Sequence, residues 1–147
     1  MLKIIFFIAA LMPLGAVAQH TMKFENPAIS AEVFAANIIS TGLSERDFAL
    51  SPDGTEIFYT MQSPPGLFQT IVQIKKMPNG TWTKPAIASF AGKYSDLEPA
   101  FSSDGNKIYF SSNRPVNGTE LKDFDIWVVE KQNGNWGEPK NIGLPVN

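Results

Sequence analysis

The sequence predicts an all-β fold built from two successive four-stranded antiparallel units, and three observations predict it. Two stretches carry the same punctuation. One runs Ser51-Pro52-Asp53-Gly54, then Ile57-Phe58-Tyr59, and closes on Asn79-Gly80-Thr81-Trp82. The other runs Ser102-Ser103-Asp104-Gly105, then Ile108-Tyr109-Phe110, and closes on Asn133-Gly134-Asn135-Trp136. Between these marks the apolar residues fall in short runs rich in β-branched and aromatic side chains, with no sustained helical period. The D-G and N-G pairs between such runs are hairpin signals, because Gly accepts the positive φ that a tight turn demands. A duplicated pattern with turns at fixed places means a repeat architecture.

The elements follow in order. Asn37 to Ser40, with Ile38-Ile39, reads as a short leading strand, and Thr41 to Glu45 as a loop. In the first unit the strands are Phe48 to Ser51, Thr55 to Met61, Gln69 to Met77 and Thr81 to Phe90. In the second they are Ala100-Phe101, Lys107 to Ser111, Phe124 to Lys131 and Asn135 to Ile142. Pro85 and Pro139 assign the fourth strands to sheet edges, since proline has no N–H for an inner ladder. The spacing is 51 residues from Ser51 to Ser102 and 54 from Trp82 to Trp136, which places an insertion in the Asn113 to Thr119 loop. Four antiparallel strands of this order have the anatomy of a β-propeller blade.

Residues 1–18 are expected to stand apart as a signal peptide cleaved after Ala18. Lys3 supplies a positive charge, Ile4 to Leu14 is apolar but too short for an ordinary membrane span, and Ala16-Val17-Ala18 is an A-x-A cleavage pattern. Residues 19–36 are then a lead-in and 37–147 a partial propeller, with one blade over about 45–90 and another over about 96–142. Propellers need about four to eight blades. Two blades plus a leading strand make an incomplete ring, which implies a piece of a longer propeller. Completion by association of copies and an open two-blade sandwich are the alternatives.

The stretch from Glu98-Pro99-Ala100-Phe101 through Ser102-Ser103-Asp104-Gly105 to Asn113-Arg114-Pro115, followed by Asp125-Ile126-Trp127 and Trp136-Gly137-Glu138-Pro139, resembles the WD-like β-propeller repeat of the TolB type, with its S-P-D-G-x-x-I/L-Y/F signature. The resemblance covers Ile38 to Asn147. The first unit departs from it at Ile71-Val72-Gln73, where the second has Asp125-Ile126-Trp127. It implies a bacterial exported repeat protein that acts as a scaffold for partners in the cell envelope. It does not extend to the separate N-terminal domain of TolB, so the same partner does not follow.

Composition narrows the function classes. The formal net charge is −2 with no basic cluster longer than Lys75-Lys76, which argues against a nucleic-acid binder. There is no cysteine, hence no disulfide, thiolate metal site or cysteine nucleophile. His20 is the one histidine, so a two-histidine zinc site is excluded within this chain. Export without disulfides suits a periplasmic or secreted bacterial product. No serine-hydrolase elbow, P-loop or dinucleotide-binding glycine motif occurs.

The candidate binding residues come from aligning the two units. Glu45 matches Asp96 and Asp47 matches Glu98, giving an acidic i, i+2 pair in each unit, on one face of a strand and near one mouth of a channel. Such carboxylates suit a cation or the amino groups of a ligand, but their repetition favours a structural role. Arg46 and Arg114 occur once each and are the individual residues. Asp53 and Asp104 read as turn residues rather than a sialidase Asp-box, and Trp82, Trp127 and Trp136 as packing rather than a sugar platform. The expected function is therefore a non-catalytic TolB-like propeller that presents loops to a protein or carbohydrate partner, with Arg46, Asp47, Asp96, Glu98 and Arg114 as candidate contacts, no cofactor, no metal, no membrane span, and uncovered blade faces open to self-association. The alternative is the propeller portion of a larger exported peptidase or glycosidase.

Overall fold

The computed structural model describes residues 32–121 and 123–147; the expected signal peptide and most of the lead-in, His20 included, lie outside the described residues. Among the described residues nine strands form two antiparallel sheets: β1 Ser44–Leu50, β2 Glu56–Gln62, β3 Gln69–Lys75 and β4 Ala86–Ile87 in the first, then β5 Asp96–Phe101, β6 Lys107–Ser112, β7 Asp125–Gln132, β8 Asn135–Trp136 and β9 Lys140–Asn141 in the second. No helix occurs among the described residues, and so none is long and apolar enough to cross a membrane.

The hairpins form where the turn residues demand them. Gly54 N–H bonds the Ser51 carbonyl at 2.8 Å, and Gly105 N–H the Ser102 carbonyl at 2.9 Å, with both glycines at positive φ (69° and 72°). Asn133 and Gly134 both lie at positive φ (50° and 80°), the backbone of a two-residue I′ turn, which matches the strand twist. In the first sheet the corresponding hairpin takes one residue more, since Gly80 N–H bonds Met77 O across Pro78-Asn79. The repeat offset accordingly runs from 51 (Glu56 to Lys107) to 55 (Lys75 to Glu130) and back to 54 (Trp82 to Trp136). Two loops thus account for a spacing change that the sequence assigned to one.

Three expectations are corrected. Asn37 to Ser40 is not a strand: residues 37–39 form a turn closed by a single bridge between Ala36 and Ser40, with Ile39 buried against the first sheet. The first strand of each sheet starts earlier than the apolar pattern suggested, so Glu45, Asp47, Asp96 and Glu98 lie within β1 and β5 rather than ahead of them. The fourth strands are broken. Thr81 to Phe90 reduces to a bridge between Lys76 and Trp82 plus β4, and Asn135 to Ile142 to β8 and β9, both paired to β7. The breaks fall at Pro85 and Pro139, which lack the N–H a continuous ladder needs.

The sheets stack front to back. Phe58 and Ile71 project from the back of the first sheet onto Ile108, Phe110, Trp127, Val129 and Trp136 on the front of the second, with Ala88 and Phe90 of the connecting segment completing this core. Phe58 meets Phe101 at 5.5 Å and Trp136 at 5.9 Å between ring centroids. Edge-to-face pairs of this kind contribute about 0.5–1.5 kcal/mol each beyond burial. The front of the first sheet carries the equivalent set, Ile57, Tyr59, Val72, Ile74 and Trp82, under Ala35, Ile38 and Ile39. Alternation along each strand makes this arrangement inevitable: neighbouring residues face opposite sides, and both sides of the first sheet are apolar.

Candidate functional site

The two D-G turns are tied by the same side chains. Ser51 Oγ donates to Asp53 Oδ1 at 2.6 Å and accepts from the Thr55 and Glu56 N–H groups at 3.0 and 2.9 Å. Ser102 Oγ donates to Asp104 Oδ1 at 2.6 Å and accepts from Lys107 N–H at 2.9 Å. The Ser51 hydroxyl, then Thr55, holds the Asp53 carboxyl below its usual range, and the Ser102 hydroxyl, then Asn106, holds Asp104 down to about 2. These aspartates are spent on turn geometry. Trp82, Trp127 and Trp136 are all buried in the two cores.

The acidic pairs sit on matching bulges. Pairing slips between Arg46 and Ala49 in β1 and between Leu97 and Ala100 in β5, and the bulged residues Asp47 and Glu98 take left-handed φ values of 58° and 57°. A left-handed non-glycine residue at the same place in both units is a designed bend. In the second unit the i, i+2 pair is divided, with Asp96 buried and Glu98 exposed, whereas Glu45 and Asp47 line the same cleft. Glu45 accepts from the Thr41 N–H at 3.2 Å and from the Thr41 hydroxyl. Asp96 goes inward.

The bulges bring three of the candidates together. Arg46 Nε donates to Asp47 Oδ2 at 2.8 Å and Arg46 Nη2 to Glu98 Oε1 at 2.9 Å, so one guanidinium joins the two sheets at their bulges. Beneath it, Glu98 N–H bonds Thr60 Oγ1 at 3.0 Å. Asp96 and Arg114 form a separate, buried site. Arg114 Nη2 donates to Asp96 Oδ1 at 2.6 Å and to the Phe90 carbonyl at 3.0 Å, Arg114 Nε donates to Ser112 Oγ at 2.9 Å, and Ser112 Oγ donates to Asp96 Oδ1 at 2.6 Å. The guanidinium lies over Phe110 at 4.9 Å and Trp127 at 5.3 Å. Its charge is used within the fold, and it is not brought to the Arg46 cluster.

Two features were not read from the sequence. Glu56 is buried and ion-paired across the sheets to Lys131 Nζ at 2.7 Å, with Gln73 Nε2 on its other oxygen at 3.0 Å. Its signal is an acidic residue at the start of a strand whose both faces are covered. The second feature is a cleft of about 450 Å³ on the front of the first sheet, lined by Phe34, Ile39, Phe48, Leu50 and Tyr59 with Arg46 at its edge. Phe34 and Phe48 meet edge to face at 5.3 Å. Burial, then the nearby Glu45 charge, pushes the Tyr59 hydroxyl up to about 12, so Tyr59 stays neutral. No sequence period could reveal this cleft, because Phe34 reaches it from outside the repeat.

Among the described residues no group of three or more His, Asp or Glu side chains is arranged to hold a metal ion. No protein-family model matches the chain, and no curated protein matches it.

Proposed function

We propose that each sheet is a blade of a TolB-type β-propeller and that the chain is an exported, non-catalytic binding module of the cell envelope. The observation that carries this reading is what gathers at one end of the molecule. Ser44 pairs with Gln62 and Asp96 with Ser112, so β1 and β5 start at the end where the 63–68 and 113–121 segments follow β2 and β6. Leu67, Phe68, Val116, Leu121 and Phe124 are exposed in the connections to β3 and β7, and Arg46 and Glu98 are exposed on β1 and β5. Apolar loop tips on strands that also carry exposed charge suit a recognition surface for a protein or carbohydrate, with the sheets as its rigid support.

The test is binding of the purified protein to envelope protein and glycan fractions. Leu121→Ser with Phe124→Ser is expected to weaken binding about tenfold or more, as loss of interface anchors does. Arg46→Glu is expected to weaken it further or change its salt dependence. Unchanged binding in both variants, with unfolding curves like the parent protein, would remove this end of the molecule as the binding surface.

A further inference from the structure

We propose that the back of the second sheet is a docking surface for a second copy of this chain, which seats the front of its first sheet there, head to tail. The internal interface supplies the template. Aligned positions in the two sheets are Phe58 and Tyr109, Ile71 and Ile126, Leu50 and Phe101, Tyr59 and Phe110, Trp82 and Trp136. Phe58 is 0% exposed because the second sheet covers it, whereas Tyr109 is 38% exposed on an open face. The connecting segments match too: Ala88 N–H bonds Ile71 O, and Ile142 N–H bonds Ile126 O. This equates Phe90, buried between the sheets, with Leu144, which is 88% exposed.

One aromatic contact between the sheets, Phe58 on Phe101, therefore has an aligned apolar counterpart between molecules. Phe58 against Phe101 (5.5 Å) becomes Tyr109 against the half-buried Leu50 of the next copy, whereas Tyr59, the counterpart of Phe110, is already buried in the cluster with Ile39 of its own chain. Leu50 is a half-buried wall of the open cleft, together with the exposed Phe34 and Phe48, on the part of the first sheet's front that Ala35, Ile38 and Ile39 leave uncovered. An exposed knob and an apolar socket thus sit at opposite ends of one stacking direction. The charges also match. Inside, Glu56 meets Lys75 at 3.7 Å and Lys131 at 2.7 Å. At the proposed contact Glu130, paired to Lys107 at 3.0 Å, meets Lys76 of the next copy, the aligned partner of Lys131. One carboxylate again faces two ammonium groups, with the acidic residue moved to the neighbouring strand. A heterologous contact of this kind closes into a ring or continues as a filament.

The inference rests on the repeat geometry and not on the loop-end partner surface. The purified protein is expected to sediment as concentration-dependent oligomers, and Tyr109→Lys to weaken association about tenfold or more. Because the chain has no cysteine, cross-linking gives the orientation. Under oxidation a mixture of Tyr109→Cys and Leu50→Cys chains should form the mixed disulfide, with little dimer from either variant alone. Unfolding of each reduced variant like the parent protein serves as the folding control. A monomer at every concentration, or a disulfide formed by Tyr109→Cys with itself in preference to Leu50→Cys, would overturn the proposal. A monomer that still binds the envelope fraction would leave the loop-end reading standing.

Discussion

At the start of the first sheet Glu45 pairs across the ladder with Met61, and Ser63 follows two residues on; at the start of the second Asp96 pairs with Ser112, and Arg114 follows two residues on. The backbone is the same, down to the bulge at Asp47 and Glu98. The chemistry is not. Glu45 is partly open and answered by a local threonine, while Asp96 is sealed with Arg114 and Ser112 beneath three aromatic rings. The second corner lies where the connecting segment crosses between the sheets, and Arg114 holds the Phe90 carbonyl of that segment. The repeat dictates where a side chain is placed, and the neighbouring layer decides whether its charge must be neutralised.

This contrast is open to attack, beginning with its largest expected effect. Arg114→Ala leaves the Asp96 carboxylate buried without its counter-charge and is expected to destabilise the protein by about 3–5 kcal/mol in urea unfolding. The aligned Ser63→Ala removes one hydrogen bond to Phe68 N–H and is expected to cost about 1 kcal/mol or less. Arg114→Lys is expected to recover little, since lysine cannot serve Asp96, Ser112 and Phe90 together. Equal losses at positions 114 and 63 would break the comparison.

Phe58 and Tyr109 sharpen it. Phe58→Ala opens a cavity between the sheets and is expected to cost about 3–4 kcal/mol. Tyr109→Ala, measured at high dilution so that association does not contribute, is expected to cost about 1 kcal/mol or less. The smallest effect concerns acid. A carboxylate whose folded pKa is lowered stabilises the fold above its unfolded pKa and loses that contribution as pH falls through the folded value. For Asp104 the loss runs from its ordinary value of 3.8 down to about 2, and Asp53 shifts in the same direction. Thermal melts of the parent between about pH 5 and 2 should show this decline, and Asp104→Asn should flatten part of it. A parent whose melting point does not fall over that range would show that the serine–aspartate turns contribute nothing.

Legibility in the sequence followed the range of the interactions. The D-G and N-G hairpins were readable because a few adjacent residues set their φ values. The two-sheet duplication was readable because both copies had to solve the same turn problems. The bulges were not, since Asp47 and Glu98 are acidic residues whose left-handed backbone is imposed by a ladder that slips one register. Nor was the fate of the two individual arginines. Arg46, set between two carboxylates, became an exposed clamp between sheets, and Arg114 a buried one whose partner Asp96 lies 18 residues away. The Ile38-Ile39 pair looked like a strand because burial and β-branching are shared by strands and by an apolar turn pressed on a sheet.

The interrupted margins of both sheets have a consequence for how the protein behaves when crowded. On one side of each sheet the outer strand is cut at Pro85 or Pro139 into two-residue pieces, and on the other side β1 and β5 carry a kink, with Pro99 beside it in β5. Among the described residues a long, straight row of free N–H and C=O groups, the template on which foreign strands add, is interrupted at both rims. The proposed contact between copies accordingly runs along the sheet normal, through side chains that can discriminate, and away from the hydrogen-bonding direction, in which any extended peptide would serve.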